Sequence, residues 1–132
     1  MNGKLNSVFW TLRVGLGAAA FLAGLDKFFD ILADWPAYLS PLAAQALPLS
    51  PAVFMRAVGV IEMAVGIALL AGLTRIGGYV MMAWLIGVAV NLVTTGRFFD
   101  VAVRDVEMAV AAFALARLSE VRAGRAALAE AA

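Results

Sequence analysis

The sequence predicts an all-α fold, an integral membrane four-helix bundle with antiparallel helices and a short interfacial segment between the first and second helices. The first observation is composition. Hydrophobic residues make up 64% of the 132 residues and charged residues 14%, whereas soluble domains average about 45–50% apolar and about 25% charged residues. The second observation is a set of four long apolar runs, each near the roughly 20 residues that a helix needs to cross a bilayer.

Residues 1–132 are predicted to form a single membrane domain with four spans. The spans are expected at residues 8–29, 52–72, 76–95 and 101–118. The second and third connections, 73–75 and 96–100, are so short that the helices they join must be antiparallel neighbours. Residues 119–132 are rich in Ala, Arg and Glu, and we expect them to extend the last helix into the cytoplasm.

The first connection, residues 30–51, is longer and has a different character. It contains the four prolines of the chain, which exclude a continuous spanning helix, yet it is too apolar for an ordinary solvated loop. One interpretation is a set of short helical turns in the membrane interface, with Trp35 and Tyr38 at head-group level. The other is a packed loop that caps the bundle.

Basic residues predict the orientation of the spans. The first run should be a span and not a cleaved signal, because Arg13 lies inside it and no typical cleavage site follows. Cytoplasmic segments carry the excess of Lys and Arg. One side holds five such residues and the other holds four, mixed with acidic neighbours. We therefore expect a bacterial inner-membrane protein with both termini in the cytoplasm. The two sets are Lys4, Arg75, Arg117, Arg122 and Arg125, and Lys27, Arg56, Arg97 and Arg104.

The residue types that are missing exclude several classes of chemistry. The chain has no cysteine and no histidine, which excludes disulfides, thiolate chemistry, covalent haem attachment and histidine-ligated metals. We predict no metal and no covalent cofactor; a redox cofactor would be a non-covalent organic molecule or would belong to a partner. The net charge of +1 offers no basic stripe for nucleic acid. Partners should be the lipid bilayer, other membrane or redox proteins, or a second copy of the chain.

Polar residues recur at helical spacing inside the apolar runs. Glu62 lies near the middle of the second span, where a charge costs about 2.5–3.5 kcal/mol on insertion scales and normally faces a partner or cavity. We expect the candidate cofactor-binding residues to converge in the interior of the bundle. They are Arg13, Lys27, Arg56, Glu62, Asn91 and Arg104.

Three interpretations of this polar interior remain open. The first is a buried ion-pair network that fixes helix register, in which Lys27, Arg56 or Arg13 neutralises Glu62. The second is a pocket, open to the outer side or to lipid, for a small molecule such as a quinone or another substrate. The third is a proton-coupled site in which Glu62 takes up and releases a proton.

Motifs in the first two spans resemble those of the DoxX family of small four-span membrane proteins. The first is Leu12-Arg13 followed by Gly17, Phe21, Gly24 and Lys27. The second is Gly59-Val60-Ile61-Glu62 followed by Gly66, Leu70, Gly72 and Arg75. The resemblance implies an association with membrane-bound redox systems, and the family pattern singles out Arg13, Lys27 and Glu62.

The expected function is therefore that of an accessory or quinone-binding membrane subunit of a redox or respiratory complex. Two alternatives stay open. One is a non-catalytic scaffold or assembly factor. The other is a small proton-coupled transporter that uses Glu62.

Overall fold

A computed structural model describes residues 3–131, and in this part of the chain there are helices and turns but no strand. The predicted all-α class is confirmed. The elements are α1 (Gly3–Asp26), a 3-10 turn (Trp35–Tyr38), α2 (Pro41–Ala46), α3 (Pro51–Ala71), α4 (Thr74–Thr94) and α5 (Phe99–Ala131).

Three of the helices, α1, α3 and α4, are long and apolar enough to cross a membrane. Helix α5 is not among these candidates, although the sequence predicts a fourth span at 101–118. Its first half is interrupted by Arg104, Asp105 and Glu107. Residues 119–131, the part of the predicted tail that the structure describes, continue α5 without a break, as expected.

Serine and proline set the starts of α2 and α3. Ser40 precedes Pro41 and Ser50 precedes Pro51, and each serine hydroxyl accepts a hydrogen bond from a backbone N–H of the first turn. Such a cap satisfies one of the donors that a helix start leaves unpaired, and proline suits the position that follows it. Helix α3 ends at Gly72, whose φ of 113° lies in the left-handed region that favours glycine. The chain then turns directly into α4.

Glycines hold α1 and α3 together as an antiparallel pair. Gly24 faces Gly59 at one end of the contact, and Gly17 faces Gly66 at the other. A Cβ atom at Gly24 would lie 2.5 Å from the carbonyl oxygen of Gly59. No side chain fits between the backbones at this distance, so the glycines permit the close approach that membrane helices use to pack.

Helices α4 and α5 form a second antiparallel pair. A Cβ atom at Gly78 would lie 3.0 Å from the backbone oxygen of Ala112 and from the Cβ of Ala116. The hydroxyls of Thr74 and Ser119 are 2.7 Å apart and tie the pair near the start of α4. Small residues therefore set the separation in this pair as well.

The two pairs meet more loosely over a shared apolar core. Residues from all four long helices contribute to it: Phe9, Leu16, Leu69, Met81, Leu85, Ala109, Ala112 and Leu115. Many large apolar side chains point outward instead, for example Leu22, Val60, Ile67, Val90 and Val110. An exposed apolar surface of this extent is expected where lipid and not water is the solvent.

Candidate functional site

A buried ion pair joins α1's end to the middle of α3. The Nζ atom of Lys27 lies 2.6 Å from Oε2 of Glu62, and the two side chains are 5% and 14% exposed. The sequence left three cations open as partners of Glu62, and the structure selects Lys27. A pair so well shielded from solvent interacts far more strongly than a surface pair.

The glycine contact between α1 and α3 positions this pair. Lys27 lies one turn beyond Gly24, and Glu62 lies one turn beyond Gly59. A Cβ atom at Gly59 would lie 3.1 Å from the Cβ of Lys27. The lysine stem therefore passes over the bare backbone of Gly59, which lets the ammonium group reach Glu62 inside the fold.

Two tryptophans border the ion pair on different sides. The indole N–H of Trp84, on α4, donates a hydrogen bond of 3.3 Å to Oε1 of Glu62. The ring of Trp35 lies on the other partner, with Nζ of Lys27 3.8 Å from the ring centroid. This distance is typical of a cation–π interaction. Each charged side chain therefore contacts one tryptophan: Glu62 contacts Trp84, and Lys27 contacts Trp35.

Asp26 organises the turn that carries Trp35. Its carboxylate accepts hydrogen bonds from the backbone N–H groups of Ile31 and Leu32, at 3.1 and 2.8 Å. It also accepts one from the indole N–H of Trp35, at 2.9 Å. These bonds end α1 at Asp26, earlier than the predicted boundary at residue 29. They also hold the Trp35 ring over Lys27.

Asn91 attaches the next part of the connection to α4. Its amide nitrogen donates to the carbonyl of Tyr38 at 2.7 Å, and its amide oxygen accepts from the N–H of Ser40 at 3.0 Å. The ring of Tyr38 also packs on Phe98, with 4.4 Å between centroids. The predicted short helical turns are present, and these contacts with α4 are those that a packed loop would make. Ile31 is 80% exposed on the same connection, as an interfacial segment would also require.

Arg13 lies at the opposite end of α3 and does not approach Glu62. Its guanidinium donates to the carbonyls of Leu69 and Leu70, at 3.0 and 2.7 Å. These belong to the last turn of α3, where carbonyls lack partners within the helix. Arg13 therefore acts as a side-chain cap for α3.

Two of the six candidate residues lie away from the interior in this chain. Arg56 and Arg104 are both exposed, whereas Lys27 is buried and Glu62 and Asn91 are half-buried. The half-buried Asp105, next to Arg104 on α5, instead lies close enough to interact electrostatically with Glu62 and Lys27. Asp105 has no hydrogen bond or salt bridge within residues 3–131.

The roles of Trp35 and Trp84 are the main features that the candidate list lacked. Trp84 lies on the same face as Asn91, seven residues earlier, so helical spacing could have included it. Trp35 had no comparable signal, because its place depends on the turn that Asp26 organises.

An apolar groove lies between α3 and α4. It has a volume of 360 Å³, and its walls include Ile61 and Val65 from α3 and Gly77 and Val80 from α4. Its lining contains neither member of the ion pair and neither of the tryptophans that border the pair. The site itself thus combines a charge pair and aromatic rings, and the apolar groove is a separate surface between α3 and α4.

Within residues 3–131, no group of three or more acidic residues is placed to hold a metal ion. The chain also has no histidine or cysteine to serve as a ligand. What the arrangement offers is hydrogen-bond donors, a carboxylate and aromatic faces.

Comparison with known proteins identifies a family. Searches of curated proteins and of solved structures gave no significant match. The family model described as DoxX matches residues 8–96, which is more than half of the chain and includes Arg13, Lys27, Glu62 and Asn91. A membrane-type helical fold and this match together assign the chain to the DoxX family.

Proposed function

We propose that this chain is an accessory subunit of a redox complex in the bacterial inner membrane and that it binds a quinone head group at the Lys27–Glu62 pair. The observation that carries the proposal is the pair itself, bordered by Trp35 and Trp84. The redox association implied by the family supports the choice of a quinone over other small molecules.

The energetics of burial favour a function for the pair. Removing two charges from water costs several kcal/mol per ion, and an apolar pair of similar volume often stabilises a protein equally well or better. The glycine contact already brings α1 and α3 together without the charges. A role beyond packing therefore accounts better for Lys27 and Glu62 than helix association alone.

The chemistry of the site suits a quinone. A quinone carbonyl accepts hydrogen bonds, and the Lys27 ammonium has three N–H donors, of which Glu62 and the carbonyl of Ala23 take two. The single indole N–H of Trp84 is already donated to Glu62, so Lys27 is the donor that would meet the quinone. Trp35 offers an aromatic face beside Lys27. Reduction of the quinone by two electrons takes up two protons from solvent, and the Glu62 carboxylate would relay one of them to a ring oxygen. The groove between α3 and α4 would accommodate the apolar tail.

Electrons for this reaction must come from another protein. The sequence has no cysteine or histidine to hold an iron–sulfur cluster or haem in the usual way. The proposed role is therefore to bind quinone beside the redox centre of a partner, and a stable complex with that partner is part of the proposal.

The proposed arrangement in the membrane is a four-helix antiparallel bundle with α5 as the fourth span. Asp105 is half-buried and lies within electrostatic range of Glu62 and Lys27, so this one charge in the first half of α5 faces interior groups, whereas Arg104 and Glu107 are exposed. Both termini would be cytoplasmic, where Lys4, Arg75 and Arg117 supply positive charge.

Purification in mild detergent, with mass spectrometry of bound quinones and proteins, tests this function. Wild type should retain quinone and a redox protein. Glu62→Gln should lose quinone, whereas Glu107→Gln should retain it, because Glu107 is an exposed carboxylate. Retention of partners without quinone in every sample would support the scaffold alternative. Recovery of wild type with phospholipid alone would reject the proposal.

A further inference from the structure

A groove lies at the end of the fold where α1 begins and the last part of α5 runs past it. Its volume is 290 Å³, and its lining consists of Asn6, Arg122, Arg125, Ala126 and Ala129. The four α5 residues recur at spacings of three, one and three, so they share one face of the helix. Two arginines therefore project from one wall of a single depression.

No acidic side chain among residues 3–131 neutralises the charge of this groove. In the part of the chain from residue 3 to residue 131, neither Arg122 nor Arg125 forms a salt bridge. Arg75 and Arg117 near the same end both do, with Glu120 at 3.4 and 3.0 Å. The groove therefore carries an excess of positive charge, whereas Arg75 and Arg117 share a carboxylate partner.

Aromatic contacts hold Arg122 in place. Its guanidinium carbon lies 4.0 Å from the ring centroid of Phe9 and 5.9 Å from that of Trp10. Stacking of this kind restricts the long side chain and leaves the edge of the guanidinium free to donate hydrogen bonds. Arg122 is thus partly pre-organised for an anion.

The position of the groove along α1 indicates which anion it meets. Val8, Trp10 and Val14 are exposed apolar residues on a helix that is long and apolar enough to cross a bilayer. Arg125 lies beyond them on the charged part of α5. The groove therefore sits where an apolar helix surface gives way to charge, which is the depth of lipid head groups.

We infer that this groove binds the phosphate of an anionic phospholipid, with the acyl chains lying along the exposed apolar surface of α1. Arginine donates two parallel hydrogen bonds to phosphate, and basic pockets between membrane helices suit lipid head groups. Both arginines lie outside residues 8–96, the part of the chain that matches the family, whereas Phe9 and Trp10, which contact Arg122, lie inside it. The inference is independent of the quinone proposal.

Native mass spectrometry in detergent, with titration of phosphatidylglycerol or phosphatidylcholine, tests the inference. Arg122→Gln/Arg125→Gln should bind phosphatidylglycerol more weakly, by about fivefold for each arginine removed. Arg75→Gln/Arg117→Gln is the matched control, because it removes the same charge from arginines that are already paired. This control should bind the lipid like wild type.

Arg125→Gln alone keeps the result interpretable if loss of Arg122 disturbs its contact with Phe9. It should weaken binding about fivefold without a change in thermal stability. Equal losses in the double variant and its control, or equal binding of phosphatidylcholine by wild type, would overturn the inference. Displacement of phosphatidylglycerol by millimolar inorganic phosphate would instead assign the groove to a soluble phosphate compound.

Discussion

Lys27 and Glu62 form an ion pair of 2.6 Å between α1's end and the middle of α3. Trp84 bonds to the carboxylate and Trp35 covers the ammonium group, so each charge has an additional partner. Neither ion could be left alone at this depth without a large penalty. The pair is therefore the feature from which most of the predictions about this protein derive.

Loss of one member of the pair should destabilise the protein strongly. Glu62→Gln leaves Lys27 buried without its counter-charge, and breaking a buried pair in this way costs about 3–5 kcal/mol. Thermal unfolding in detergent, followed by circular dichroism, should give a lower midpoint than wild type. The exposed Glu107→Gln change should leave the midpoint nearly unchanged.

Replacement of both members separates stability from function. Lys27→Met/Glu62→Leu removes both charges at similar volume, and such changes are often neutral or stabilising. The double variant should unfold near the wild-type temperature and yet lose quinone binding. If the double variant binds quinone as wild type does, the pair has only a structural role.

The glycine contact between α1 and α3 should tolerate no side chain. Gly24→Ala places a Cβ 2.5 Å from the carbonyl of Gly59, so one helix must move away and the Lys27–Glu62 distance must change. Overpacking of this kind costs about 1–3 kcal/mol. Gly87→Ala is the control, because no atom within 4 Å would meet its Cβ. Thermal unfolding should show a large decrease for the first variant and none for the second.

The stability of the connection between α1 and α3 should depend on Asn91. Asn91→Leu removes the partners of the Tyr38 carbonyl and the Ser40 N–H, and unpaired buried groups cost about 1–3 kcal/mol each. Hydrogen exchange at residues 38–42 should become faster. Thr94→Val provides the comparison, because its hydroxyl bonds only to a carbonyl of α4. Equal exchange in both variants would mean that other contacts hold the connection.

The two roles of Trp35 can be separated by substitution. Trp35→Phe keeps an aromatic face over Lys27 but loses the hydrogen bond to Asp26, whereas Trp35→Leu loses both interactions. The cation–π contribution is about 2 kcal/mol when desolvated. Trp35→Leu should therefore unfold at a lower temperature than Trp35→Phe. Equal midpoints would show that the hydrogen bond carries the effect of Trp35.

Much of the fold could be predicted because membrane helices leave strong signals in sequence. Apolar runs gave the three candidate spans, and Gly17, Gly24, Gly59 and Gly66 appeared at the spacing of a packed face. The depth of Glu62 indicated that it needed a partner. The fourth predicted span is less distinct, because the charges at the start of α5 reduce its apolar character.

The identity of the partner could not be predicted from spacing alone. Arg56 lies six residues before Glu62 on α3, and Lys27 follows the end of α1. Which of the two cations pairs with Glu62 depends on how α1 and α3 pack. The backbone approach at Gly59 admits the stem of Lys27, while Arg56 points away and is exposed. Likewise, the contact of Asp26 with Trp35 depends on a turn conformation that no periodicity encodes.

Photoaffinity labelling with an azidoquinone tests whether a quinone binds at the Lys27–Glu62 pair. Membranes that contain wild type or Lys27→Met/Glu62→Leu would be labelled, and the modified peptides identified by mass spectrometry. We expect labels on wild-type segments that contain Trp35 or Trp84. Unlabelled quinone should compete for these labels, and the double variant should lose them. Equal labelling of both proteins, or labels confined to distant surface residues, would contradict quinone binding at this pair.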